Sequence, residues 1–441
     1  MCKSVDTQHR KQRGRTAPNH ALSTDGLIYG IEDKPPFGKL ILFAIQMVLS
    51  VFVATVLIAN ICGVNVPAAL VGAGLSTLAY ILVTGGKSPM FISNSGAFVA
   101  PVIMALSTAG YSGVIVGGVV TFLIYSIFGI IFTKIPVSNI YKVFPSALIG
   151  AVTVVIGINL MAFIPTYLGD TGQWGLVIAL ITMLAIALLS HYAKGIMKIL
   201  PFLLGTLIGY GCAVVLTITN ICKIVDFTVF KNMTLFTMPE FAFTKVATIG
   251  DSRILISIIV VYIAFTISAM MECLSDHAAL SGIIETDLYV TPGLGKIFRG
   301  EGLSNLMSSV FGGLGACSYG EGVACVGFSR VASVWVTGMA AIILGLLGFI
   351  GPVQAFIASI PSCVFAGAAI VLYGFIACSG IKMLQKTDLN KQKNLVIVSS
   401  VLSLGIGGLV LGGATISISG TALALVFGVI LNLILKEKVD E

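Results

Sequence analysis

Three carboxylates, Glu272, Asp276 and Glu321, fall inside or at the end of long apolar stretches, and His277 follows the second of them. A charge at mid-membrane depth costs about 2.5–3.5 kcal/mol on insertion scales, so such groups come with partners or tasks. Glu272 and Asp276 are at i and i+4 and share one helix face. Low dielectric and mutual repulsion disfavour charging both, so at least one of the pair is expected to hold a proton near neutral pH. Glu321 stands between Gly320 and Gly322 in Cys317-Ser-Tyr-Gly-Glu-Gly322. Breaking a helix there frees backbone N–H groups, and the half-helix that follows adds a partial positive charge. A carboxylate acceptor beside free N–H donors suits a flat, neutral heterocycle with both N–H and C=O edges. An anion would be repelled by Glu321, and serine, glycine and aromatic surroundings offer a bare cation no cage.

Other polar groups are ambiguous on sequence alone. Glu301 lies at the start of an apolar span and reads as interfacial. Ser93, Asn94 and Ser95 are either helix-packing or binding groups. His277 is either a structural group near the edge of its span or part of proton handling. Trp174 and Trp335 read as interface anchors.

The elements that position these residues are membrane helices. The chain has 441 residues, 57% hydrophobic and only 10% charged, whereas soluble domains carry about 25% charged residues. Apolar runs recur from Lys39 to Leu435, each near the ~20 residues that span a bilayer core. The net charge of +7 comes from basic residues in short loops, a topological signal and not a nucleic-acid footprint. Nine scattered cysteines without CxxC spacing argue against a disulfide framework or a zinc site. No metal and no cofactor is expected. Residues 1–38 show no signal-peptide pattern and read as a cytosolic N-terminal tail.

The apolar runs predict an all-α polytopic membrane protein with fourteen spans. Seven lie within 39–217 and seven within 254–435, separated by an external loop at 218–253. Among them are spans at 90–108, 114–133, 254–275, 300–314, 316–332, 333–351 and 418–435. With both termini inside the cell, 21 of the 25 basic residues fall on the inner side, including Lys142, Lys386, Lys436 and Lys438. An odd number of spans per half makes the second half an inverted repeat of the first. Span 3 (Ile92-Ser-Asn-Ser-Gly-Ala-Phe98) and span 10 (Cys317 to Gly322) are both glycine-interrupted, so short broken or strand-like segments are expected at matching places. Such backbone is tolerated at membrane depth only where protein buries it or it lines a cavity.

The chain resembles the nucleobase–ascorbate transporter family, in its bacterial uracil/xanthine permease branch. The resemblance rests on Asp33-Lys-Pro-Pro36, Ser95-Gly-Ala-Phe98 with Pro101, Glu272-Cys-Leu-Ser-Asp-His277 and Pro292-Gly-Leu294. It continues in Gly302-Leu-Ser304, Tyr319-Gly-Glu321, Ser329-Arg330, Leu372-Tyr-Gly374, Ser379-Gly-Ile381 and Asn390-Lys391 with Asn394. It implies a core domain of 39–133 plus 254–351 and a gate domain of 143–217 plus 359–435, usually within a homodimer in the cell membrane. It also implies proton-coupled uptake of a nucleobase, with sodium left open as the coupling ion. Glu272, Glu321, Gly320, Tyr319, Gly96, Ser95 and Ala97 would bind substrate, and Asp276, Glu272 and His277 would handle the proton. Four positions depart from the family pattern: Met47 after Gln46 in place of histidine, Gly96 in place of an aromatic residue, Gly322 in place of asparagine, and Ala324 in place of glycine.

Uracil is therefore the first expectation for substrate, and xanthine or another purine the second. An anion transporter of the same inverted-repeat architecture is disfavoured by two acids in the site. An intramembrane enzyme using Glu272 and Asp276 is disfavoured by four dispersed histidines and the lack of an HExxH motif.

Overall fold

The computed structural model of the protein describes residues 26–134, 145–168, 172–198, 200–231, 233–385, 387–407 and most of 409–435. Of the expected tail, residues 1–25 lie outside the described residues, as do Lys142, Lys386, Lys436 and Lys438 of the charge pattern. The first half runs α1 (Phe37–Cys62), α2 (Val66–Thr84), β1 (Ile92–Asn94), α3 (Val99–Phe132), α4 (Ser146–Met161), α5 (Ile164–Leu168), α6 (Gly172–Tyr192) and α7 (Pro201–Ile218). The second half runs α8 (Ser252–Ile284), α9 (Leu294–Met307), β2 (Ala316–Ser318), α10 (Gly320–Ser329), α11 (Val334–Leu347) and α12 (Gly351–Ser359). It closes with α13 (Ser362–Gln385), α14 (Gln392–Ile406), β3 (Leu411–Gly413), β4 (Ile416–Ile418) and α15 (Gly420–Ile434).

Among the described residues, eight helices are long and apolar enough to cross a membrane, and three shorter apolar helices accompany them. The class is a polytopic helical membrane protein. On α6, Leu176, Leu180, Leu184 and Leu188 recur every four residues and are all exposed, an apolar stripe suited to lipid tails.

Local chemistry sets the ends of these elements. Asn65 caps α2 by accepting from the Ala68 N–H at 2.9 Å, with Pro67 in the first turn. Asp251 caps α8 in the same way, accepting from the Arg253 N–H at 2.8 Å. Gly110 takes φ 60 and ψ −152 inside α3, which breaks that long element where the sequence separates 90–108 from 114–133.

Several expected boundaries move. α8 continues nine residues past 275, to Ile284, because Ser275, Asp276 and His277 are sheltered by protein and do not mark a helix end. α9 begins at Leu294, directly after Pro292-Gly293, and not near 300. The expected span 316–332 is a strand followed by a ten-residue helix. A nine-residue helix, α12, follows α11 with Pro352 in its first turn. A second hairpin, β3 on β4, closes the gap before α15, so the chain is not purely helical.

The helices pack in two groups. In one, α2 and α3 lie on α9, α2 and α1 on α11, and α3 on α8. In the other, α4 lies on α13 and α14, α6 on α7 and α13, and α14 on α15. Each group therefore mixes elements of both halves.

At the centre of the first group β1 and β2 pair antiparallel, with Ile92 opposite Ser318, Ser93 opposite Cys317 and Asn94 opposite Ala316. Two strands cannot satisfy their outer edges, and unpaired backbone groups at membrane depth are costly. Thr77 of α2 solves this for β1: its hydroxyl donates to the Ile92 carbonyl at 2.6 Å and accepts from the Ile92 N–H at 3.0 Å. On β2, Asn305 of α9 covers the acceptor alone, donating from Nδ2 to the Ala316 carbonyl. One residue before each, Ser76 and Ser304 exchange reciprocal bonds, each hydroxyl donating to the other's carbonyl at 2.7 Å. Leaving the Ile92 groups unpaired costs about 1–3 kcal/mol each. Thr77→Val is therefore expected to lower the thermal midpoint of the detergent-purified protein by about 3 °C or more, read by thermal unfolding. An unchanged midpoint would contradict this role for Thr77.

Candidate functional site

β1 and β2 each lead into the start of a helix, and the two starts lie near one another. After β1, Ser95 caps a short turn at Gly96–Phe98 that continues into α3; its hydroxyl accepts from the Ala97 N–H at 3.1 Å. After β2, Tyr319 precedes α10, whose first turn contains Glu321. Neighbouring donors are already engaged. The Ser95 N–H donates to the Gly315 carbonyl at 3.0 Å, and the Tyr319 N–H to the Phe91 carbonyl at 3.0 Å. The Tyr319 carbonyl accepts from Gly322 and Val323. Among the described residues this leaves the N–H groups of Gly96 and Gly320 without acceptors, one at each helix start. Unpaired N–H groups at a helix start are donors for a ligand acceptor.

The carboxylates surround these donors. The Ser95 hydroxyl donates to Glu272 Oε2 at 3.1 Å, tying α8 to the first helix start. Asp276 lies beside the second: a Cβ built on Gly320 would stand 3.9 Å from Asp276 Oδ1. Glu272 and Glu321 are close enough to interact electrostatically, as are Asp276 and both glutamates. Glu272 and Gly320 are exposed and Glu321 and Asp276 half-buried, yet protein surrounds all three acids. That combination describes a crevice entering the molecule. Exposed or half-buried Ala279 and Ile283 of α8, and Ala324 and Phe328 of α10, continue it along one face of each helix.

Most sequence-predicted residues thus converge, but their parts differ. Glu272, Glu321, Asp276, Gly96 and Gly320 face the crevice region. Ala97 is buried with its N–H spent on Ser95, and the Tyr319 ring is buried beside the Thr55 and Ser93 hydroxyls. Ser93 and Asn94 resolve as packing groups. Ser93 pairs with the Thr55 hydroxyl at 2.7 Å, and Asn94 Nδ2 donates to the Thr55 carbonyl at 3.2 Å.

His277 does not reach a span edge. It is fully buried, with Nε2 2.6 Å from the Tyr80 hydroxyl and Nδ1 2.8 Å from the Cys273 carbonyl. A carbonyl only accepts, so Nδ1 carries a proton, while the Tyr80 hydroxyl beside Nε2 also donates to the Ser88 hydroxyl at 2.9 Å.

Glu301 corrects the sequence reading outright. It is 0% exposed on α9, not interfacial, with Cys273 and Ser318 as its polar neighbours. Neither carboxylate oxygen makes a hydrogen bond of ordinary geometry among the described residues. The i, i+4 spacing of Glu301 with Asn305, which holds β2, was the available signal. Ligand atoms of Cys273, His277 and Glu301 come within 4.8 Å of one another. Both imidazole nitrogens are already engaged, so the cluster lacks a free nitrogen to serve a metal.

Two of the positions that depart from the family pattern, Met47 and Gly322, also meet in space. A Cβ at Gly322 would stand 3.0 Å from the Phe91 Cβ and 3.9 Å from Met47 Sδ, so the bulk of Met47 faces the glycine. A Cβ at Gly96 would stand 3.3 Å from Ile376 Cδ1 and 3.7 Å from Leu160 Cδ1.

Comparison with known proteins places the chain among permeases. A model of the Permease family, covering xanthine/uracil permeases, matches residues 38–412. The chain belongs to this permease family. It is a transporter, not an enzyme. It is 32% identical to a uracil permease of Bacillus caldolyticus over 416 residues, covering 92% of this chain and 94% of that protein. To the uracil permease of Escherichia coli K12 it is 31% identical, with the same coverage. Among solved structures, the transmembrane domain of the cyanobacterial bicarbonate transporter BicA superposes with TM-score 0.58 at 15% identity, covering 91% of this chain and all of that one. The inward-facing murine anion transporter Slc26a9 gives 0.65 at 11% identity, covering 91% and 68%. At such identities these two show the shared fold alone.

The permease's His277–Tyr80 bond is directly testable. A double-mutant cycle of Tyr80→Phe and His277→Gln, read by denaturant unfolding in detergent, is expected to give a coupling of about 1 kcal/mol or more. Additive single effects would contradict the bond.

Proposed function

We propose that the protein imports a nucleobase, uracil first, by proton symport across the cell membrane. The observation that carries this reading is the pairing of two free N–H donors, on Gly96 and Gly320, with the carboxylates Glu272 and Glu321. A uracil-type edge alternates C=O and N–H, so its carbonyls would accept from Gly96 and Gly320 while its N–H groups donate to Glu321 and Glu272. Charge-assisted bonds of this kind are about twice as strong as neutral ones. Ser95, Ala97 and Tyr319 serve the site by holding those groups in place. The uracil permeases at 31–32% identity support the substrate class, and xanthine or another purine is the alternative within it.

Asp276 is the proton-coupling group in this reading, with Glu272. It sits against the first turn of α10, and its Oδ2 is buried without a hydrogen bond among the described residues. Binding a base at Glu272 and Glu321 changes the charge that Asp276 faces, which links occupancy to protonation. His277, held between Tyr80 and Cys273, keeps the Asp276 turn in place. Sodium is the rival coupling ion.

The same proposal includes the wider architecture. Fourteen spans form two inverted sevenfold halves, supported by the reciprocal Ser76–Ser304 contact and by antiparallel strands at matching places. The group holding β1 and β2 is the core, over 39–133 and 254–351. The group of α4, α6, α7, α13, α14 and α15 is the gate, over 143–217 and 359–435. Both termini face the cytoplasm and two copies assemble in the bilayer, as the charge alternation and the family resemblance respectively suggest.

Purified protein in proteoliposomes should accumulate labelled uracil when the exterior is made acidic, and a sodium gradient at equal pH should not replace the proton gradient. Losing one charged hydrogen bond costs about 1.5–3 kcal/mol, so Glu321→Gln and Glu272→Gln are expected to reduce uptake about 10- to 100-fold. Wild-type rates in Glu321→Gln would remove that residue from the site. Uptake driven only by sodium would replace the proton in the proposal.

A further inference from the structure

Gly96 offers a free N–H to a ligand, and the space its missing side chain leaves is not empty. Ile376 Cδ1 and Leu160 Cδ1 stand 3.3 and 3.7 Å from where a Cβ would be. Both come from the second group of helices, Ile376 on α13 and Leu160 on α4, whereas Gly96 belongs to the first. A ligand accepting from the Gly96 N–H within ordinary hydrogen-bond length, about 3 Å, must lie beside these methyl groups. Ile376 is half-buried and Leu160 buried.

The helices that carry the two methyl groups pack closely. α4 and α13 cross at glycines: a Cβ at Gly157 would meet the Ala377 nitrogen at 2.5 Å, and one at Gly380 would meet the Gly150 carbonyl at 2.6 Å. Small residues at such crossings let backbones approach closely within membranes. Leu160 lies three residues past Gly157, and Ile376 immediately precedes Ala377. The backbones that carry the two side chains are therefore fixed close to one another.

We propose that Ile376, with Leu160 beside it, determines which base the site accepts, by setting the apolar wall against which a ring bound at Gly96 must fit. This rests on the nucleobase reading above. The wall is carried by the group of helices opposite the hydrogen-bonding groups, so fit is judged across the boundary between the two groups. A ring hydrogen-bonded to the Gly96 N–H lies alongside the Ile376 methyl, and a second ring on that side would collide with it. Shortening Ile376 removes the collision, and adding a methyl at Gly96 tightens it.

The test is uptake of labelled uracil into proteoliposomes with competition by unlabelled xanthine and guanine. Discrimination by one or two methyl-sized groups in an apolar pocket is worth about 10- to 200-fold, so Ile376→Ala is expected to raise purine competition relative to uracil about 10-fold or more. Leu160→Ala should shift the ratio in the same direction by less, and Gly96→Ala in the opposite direction. Leu184→Ala, on the exposed stripe of α6, should leave the ratio unchanged. Should Ile376→Ala fail to fold, Ile376→Val carries the same test with a smaller shift. An unchanged uracil-to-purine ratio in a variant that still transports uracil overturns the role of Ile376. Failure of the wild-type protein to take up any base instead overturns the nucleobase reading.

Discussion

The structure depends on a short antiparallel pairing, β1 with β2, placed where helices would otherwise run unbroken. Peptide groups at membrane depth must be satisfied within the protein, so two three-residue strands are tolerable only if both outer edges are covered. Thr77 covers one and Asn305 the other, and Ser76 and Ser304 lock the helices that carry them. Among the described residues, the N–H groups of Gly96 and Gly320, at the helix starts just beyond the strands, have no protein acceptor. The donors that a ligand could use are therefore a by-product of how the strands are held. They are fixed in position because the strands on one side and the helices on the other are both fixed.

The acids follow the same logic. Glu272 and Asp276, one turn apart on α8, each address a different helix start: Ser95 donates to Glu272, while Asp276 lies by Gly320. One rigid helix thus bridges both half-helices, and Glu321 completes the set from within α10. Behind this layer lies a second, buried polar layer of Cys273, His277, Tyr80 and Glu301, in which His277 bonds to Tyr80 and to the Cys273 carbonyl. Hydrogen bonding to a fixed imidazole restrains the α8 turn between Glu272 and Asp276 against rotation. The second group of helices touches this assembly through aliphatic tips at Ile376 and Leu160. An apolar contact of that kind can slide or part without breaking hydrogen bonds.

Much of this was readable in the chain. The membrane class followed from composition, and the paired breaks at Ser95-Gly96 and Gly320-Glu321-Gly322 announced themselves as glycines inside apolar runs. Glu272, Asp276 and Glu321 stood out because charge is rare there. Glu301 was misread because it opens a weakly apolar segment, and hydropathy cannot distinguish a membrane surface from a protein interior. His277 was left ambiguous for the opposite reason: its burial depends on Tyr80, nearly 200 residues away, and no local pattern encodes that contact. The polar run at Ser275-Asp276-His277 shortened α8 in the sequence reading, although the helix continues because neighbours shelter those side chains. Ile376 and Leu160 carried no signal at all, since an aliphatic residue in an apolar helix looks like any other until its neighbour is a glycine in the site.

The central claim is that a base sits between the two helix starts, held by Gly96 and Gly320 through their N–H groups and by Glu272 and Glu321 through their carboxylates. The most direct measurement is a structure of the protein with uracil bound. The account predicts ring oxygens within about 3.2 Å of the Gly96 and Gly320 nitrogens and ring nitrogens at similar distance from Glu321 and Glu272. A base bound elsewhere, with Glu272 and Glu321 contacting only each other or protein, would contradict it.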